Sequence, residues 1–102
     1  MADEITPIEA PVWDRRIISR VRRELEKALN SMKQAFDKAH KDETEEAQVE
    51  LNTKANFFYD LYEARLNDYE GCKLEDDTQT EEVADQLTTD FDRYKAVLNK
   101  HF

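Results

Sequence analysis

Apolar side chains recur at steps of three and four along three stretches of this chain, and that spacing predicts three helices. Ile18, Val21, Leu25, Leu29, Met32, Phe36 and Ala39 mark the first. At about 100° per residue they all fall within roughly 40° of Leu25, forming one stripe. Arg and Lys fill the other faces, and the helix is expected from Trp13 to about Ala39.

Neither Gly nor Pro separates this helix from the next segment, but the phase of the pattern does. Ile18, Leu25, Met32 and Ala39 share a seven-residue register, which continues onto the polar residues Glu46, Thr53 and Asp60. The stripe therefore changes direction near residues 40–44. Asp42 or Thr44 can accept the free amides of a new first turn, and the glutamates that follow suit its positive dipole end. A tight connection is predicted there, with one bent helix of about 58 residues as the alternative.

The second helix is expected over residues 44–69, with Leu51, Ala55, Phe58, Tyr62 and Tyr69 as its stripe and Leu61 and Leu66 on its flanks. Gly71 is a natural stop, able to take the left-handed backbone that ends many helices. "GCKLEDD" reads as a loop, and Thr78 with Glu81 has capping-box spacing. A third helix then runs to the C-terminus along Val83, Leu87, Phe91, Tyr94, Leu98 and Phe102. Pro7 and Pro11 favour extended backbone, so residues 1–11 are read as a flexible arm and 12–102 as one domain. The expected fold is all-α: an antiparallel three-helix bundle with long amphipathic helices and a flexible N-terminal arm.

Composition agrees with this. One Gly and two Pro in 102 residues leave little material for turns or strand-rich folds. No apolar run approaches the ~20 residues needed to span a bilayer. The first eleven residues lack the basic-then-apolar order of a secretory signal. Cys72 has no second cysteine to bridge. An intracellular, cytoplasmic setting is expected.

Phe57, Phe58, Tyr59, Tyr62 and Tyr69 gather half of the chain's ten aromatics into thirteen positions. Phe57 and Tyr59 lie about 100° to either side of Phe58. On one reading, each ring faces a different neighbouring helix. On the other, Phe57 or Tyr59, joined by Trp13 or Val49, lies on an exposed patch that meets a partner. Val49 falls opposite the stripe, which favours the second reading.

Candidate chemistry is sparse. A single Gly excludes Gly-rich phosphate loops and Gly-flanked nucleophile elbows. His40 and His101 lack the Glu-x-x-His spacing of bundle metal sites and sit near helix C-termini, where a cation suits the dipole. "EDDTQTEE" lacks the Gly and the ligand spacing of a calcium loop. No enzyme, cofactor, metal or small-molecule substrate is expected. Residues 1–41 hold nine basic and seven acidic side chains (+2), and residues 42–102 hold six and seventeen (−11), summing to the net −9. Arg15, Arg16, Arg20, Arg22, Arg23 and Lys27 could grip phosphates, but interleaved acids and the overall charge argue for pairing with acidic helices instead. Nucleic acid and membrane are not expected as partners.

The stretches "RRELEKALNSMKQAF", "ELNTKANFFYDLYEARLNDYE" and "TDFDRYKAVLNKHF" give residues 20–102 an order of features that resembles the N-terminal helical region of Gag-like polyproteins from BEL/Pao-type retrotransposons. The resemblance implies a self-associating structural segment and carries over no catalytic residue. From the residues alone, the expected function is a non-enzymatic module that binds another protein or itself. The alternative is an acidic inhibitor that imitates nucleic acid, motivated by the −11 of residues 42–102.

Overall fold

The structure, a computed structural model, describes residues 10–102. Residues 1–9 of the expected arm lie outside the described residues. Three helices pack into an all-α bundle: α1 (Arg15–Asp42), α2 (Glu45–Glu70) and α3 (Thr78–His101). Two short strands, β1 (Val12–Trp13) and β2 (Lys73–Leu74), pair in parallel at one end.

Each helix start has a side-chain cap. Asp14 Oδ1 accepts the amides of Arg16 and Ile17 at 3.0 Å each, so α1 begins two residues later than its apolar pattern suggests. Thr44 Oγ1 accepts the Ala47 amide at 3.1 Å and opens α2. At α3 the cap is Asp77 rather than the expected Thr78 with Glu81. Its carboxylate accepts both the amide and the hydroxyl of Thr80 at 2.8 Å. Those two donors hold the Asp77 carboxyl below its ordinary range.

The break between α1 and α2 falls at Glu43, within the expected window. Glu43 takes the left-handed conformation (φ 51°, ψ 32°) and its amide closes on the Ala39 carbonyl. Gly71, expected to be the left-handed residue, instead ends α2 with φ −92° and ψ −1°. Its amide bonds the Asn67 carbonyl at 3.1 Å, so that helix end needs no positive φ.

Each seam of the bundle has its own chemistry. The backbones of α1 and α2 approach most closely, and alanines buried on both (Ala28, Ala35 and Ala39; Ala47 and Ala55) make room for that approach. The backbones of α2 and α3 approach least, and rings fill the space. Phe58 meets Tyr94 edge-on at 5.3 Å, Tyr62 meets Phe91 at 5.9 Å, and Tyr69 meets Phe91 at 5.6 Å. These geometries suit the ring quadrupoles. The seam between α1 and α3 is polar at its edge. Arg22 Nε donates to the buried Asp90 at 2.7 Å, Arg93 donates to Glu26 at 3.0 Å, and Tyr94 donates to Glu26 at 3.1 Å. The arginines of α1 thus have a partner on an acidic helix through Arg22. Its glutamates also accept from arginines of the other two helices.

Lys73 N–H donates to the Pro11 carbonyl and Glu75 N–H to the Trp13 carbonyl, both at 2.9 Å. The "GCKLEDD" segment, read as loop, therefore contains a strand, and Pro11, read as part of the arm, is tied to it. The same pairing buries Trp13 against Tyr69, with ring centroids 5.9 Å apart.

Candidate partner-binding surface

Val49, Thr53, Phe57 and Leu61 are spaced four apart on α2 and form one slanted ridge of that helix. Thr53 Oγ1 donates to the Val49 carbonyl at 3.0 Å, a bond available to a threonine that points away from the core. Phe58, one position from Phe57, is fully buried, and the helix turn between them swings Phe57 out to 60% exposure. Beside the ridge runs a groove of about 560 Å³ between α1 and α2. Ala28, Leu61 and the flank of Phe57 supply its apolar walls, while Glu24, Lys27, Lys54 and Arg65 supply its charged rim. Arg65 Nε donates to Glu24 Oε1 at 2.8 Å and ties the two helices together at one end of this groove.

The four residues proposed from sequence as partner contacts are not brought together. Trp13, expected on an exposed patch, is 7% exposed and belongs to the core cluster. Sequence reasoning missed this because the strand pairing that covers it is two residues long. Val49 and Phe57 share the ridge, and both are exposed. Tyr59 is 38% exposed and lies at the edge of the α2–α3 seam, with its ring 5.7 Å from that of Phe102. The Glu63 carboxylate, through a hydrogen bond and through its charge, holds the Tyr59 phenol above its ordinary value.

A second apolar surface was not anticipated. Phe36, assigned to the buried stripe of α1, is 48% exposed. It lines a groove of about 630 Å³ with Met32 and with Val97, Lys100 and His101 from the last turns of α3. The helix that should cover Phe36 ends beside it, so the ring has the angular position of a core residue without a neighbour on its outer side. Its ring stacks on His40 at 5.9 Å. Phe102, also assigned to a stripe, lies one position past the end of α3 and is exposed.

Among the described residues, no group of three His, Cys, Asp or Glu side chains converges on a metal-sized site, and no helix is long and apolar enough to cross a membrane. Cys72 Sγ donates to the Tyr69 carbonyl at 3.1 Å, and partial burial pushes its thiol up from the ordinary value. Comparison of the chain with protein-family models, curated proteins and solved structures gives no match.

Proposed function

We propose that this protein is a non-enzymatic interaction module, a small acidic helical bundle that binds another protein or a second copy of itself. One observation carries the reading: Phe57, an aromatic with 60% of its surface exposed, stands over an apolar-walled groove with a charged rim. Aromatic side chains in such positions are the usual anchors of protein interfaces. The resemblance of residues 20–102 to Gag-like helical regions points toward self-association.

The finer architecture belongs to this proposal. Lys38 pairs with Glu50 near the α1–α2 connection, and Glu24 pairs with Arg65 far from it. Across the other seam, Tyr69 meets Phe91 while Phe58 meets Tyr94. Both sequences of pairs support consecutive helices that run antiparallel. The buried stripes support amphipathic helices whose polar faces carry the charge. The lone thiol of Cys72 suits a reducing compartment, and the proposed setting is intracellular.

The test compares wild type with Phe57→Ser for thermal stability, association state and partner capture over a range of salt. Association lost with melting unchanged, and wild-type binding that survives high salt, are the expected results. Binding that disappears in both proteins as salt rises would favour the nucleic-acid mimic instead, because exposed charges are screened beyond ~8 Å at physiological ionic strength. Unaltered association in Phe57→Ser would overturn the role given to this surface.

A further inference from the structure

The residues around Phe57 are arranged symmetrically about it. Three positions before it on α2 is Lys54, and three positions after it is Asp60. Four before is Thr53, four after is Leu61; seven before is Glu50, seven after is Ala64. Positions three, four and seven apart on a helix share a face. Asp60, Thr53, Ala64 and Phe57 are exposed, and Lys54 and Leu61 are half-buried beside them. Among the described residues, neither Lys54 nor Asp60 has an ion-pair partner within the chain.

A two-fold axis through Phe57 turns that arrangement into a set of matches. Two α2 helices laid antiparallel across the axis put Phe57 against Phe57 of the second copy. Lys54 of each copy then falls opposite Asp60 of the other, giving two ion pairs by symmetry. Thr53 falls opposite Leu61, and the small Ala64 opposite Glu50, where it leaves room for close approach. The first like-charged match, Glu46 with Asp68, lies eleven positions from the axis. Helices crossing at about 20–50° have separated by that point. The groove adds to the fit. Its rim carries Lys27 and Lys54, with Arg65 already paired to Glu24, while the incoming α2 has seven acidic and two basic residues between Glu45 and Glu70.

We propose that the α2 face centred on Phe57 binds a second copy of this chain in an isologous two-fold dimer, in which Lys54 pairs with Asp60 of the other copy and α2 of each copy lies along the α1–α2 groove of the other. The proposal rests on the interaction-module reading and names its partner. An isologous contact uses one patch twice, so a sequence self-complementary about a single residue is what such an interface requires.

The experiment uses the full chain in a sedimentation series up to about 1 mM, a concentration that detects even a weak dimer. Wild type is expected to dimerise. Lys54→Asp and Asp60→Lys each turn two attractions into two repulsions, so each alone should weaken dimerisation by roughly tenfold or more. An equal mixture of the two variants should associate again as a heterodimer, because every cross-pair is then of opposite charge. The doubly reversed chain should recover the homodimer. A monomeric wild type overturns the dimer, and the module reading is then judged separately by partner capture with Phe57→Ser. A wild-type dimer indifferent to both reversals, or a mixture that does not recover, also overturns it. Phe57→Cys in a Cys72→Ser background supplies a second measurement, independent of charge. A residue on the axis should form an intermolecular disulfide under mild oxidation, whereas Val49→Cys in the same background should do so far less. Equal cross-linking at both positions counts against the axis.

Discussion

The hydroxyl of Tyr94 donates to Glu26 at 3.1 Å, across the seam between α3 and α1. Tyr94 is fully buried, and the guanidinium of Arg93 lies 4.8 Å from the centre of its ring. Burial is the main cause that pushes its phenol above the ordinary value of 10.0, followed by the nearby charges of Glu26 and Asp90. In the folded protein Tyr94 therefore keeps its proton at a pH where an unfolded tyrosine loses it. Its contribution to stability is complete below about pH 10 and is lost as pH rises from there toward the folded-state value. The share of the unfolding free energy that Tyr94 supplies should be flat up to that point and fall above it. Tyr94→Phe should cost about 1 kcal/mol at neutral pH and flatten the alkaline limb. Denaturant melts across the alkaline range, with tyrosinate absorbance read in parallel, check both.

Leu25 has no exposed surface and Phe91 very little. Truncating either to Ala leaves a cavity that the surrounding helices fill only in part. Each substitution should destabilise by about 2–5 kcal/mol, seen as a lower urea midpoint. Unchanged midpoints for both would mean that these stripes do not form the core.

Glu43 and Gly71 should respond in opposite ways to what their residue types suggest. A left-handed conformation costs an L-residue roughly 1–2 kcal/mol, and Glu43 also places a negative charge at the negative end of α1. Glu43→Gly should therefore raise stability, by up to about 1 kcal/mol after the extra freedom of the unfolded chain is subtracted. At Gly71, φ is negative and an added Cβ would stand 3.5 Å from the Asn67 carbonyl oxygen, an ordinary contact. Gly71→Ala should be neutral or stabilising by about 0.4–1 kcal/mol. A melting temperature that falls in both variants would contradict this account of the two helix ends.

Spin labels at the exposed positions Lys33 and Asn52 report on the connection between α1 and α2. One continuous helix would separate these positions by about 28 Å. A hairpin closed by the Lys38–Glu50 pair, at 3.4 Å, should bring them well inside that distance. Electron-spin distance measurements decide between the two.

The parts of this fold that were legible in the sequence are those that depend on repetition. Six residues in phase with Leu25 located the first helix, and the loss of that phase at Glu46 located its end. Phase specifies an angle around a helix and says nothing about where the neighbouring helix stops. Phe36 shares the angle of Leu25 and is still exposed, because α3 ends beside it. Trp13 erred in the other direction, since no periodic pattern announces a strand of two residues. Phe57 and Phe58 show what sequence leaves open in a run of rings. Adjacent positions must diverge by about 100°, but which of the two turns inward depends on where the aromatic seam with α3 lies. The symmetry about Phe57 was readable throughout, as charges of opposite sign at equal distances from one ring. It acquires meaning only once that ring is known to face outward.

Pro11 and Lys73 stand 62 positions apart and are joined by one of the few backbone hydrogen bonds that tie β1 to β2. So few bonds cannot offset the entropy of closing a loop that long by themselves. They should form only after α1 and α2 have packed and brought their ends together, which would make the pairing a late event in folding. Its loss should leave the folding rate almost unchanged and speed unfolding. The latch would then set how long each molecule stays folded, while the helices set how quickly it arrives there.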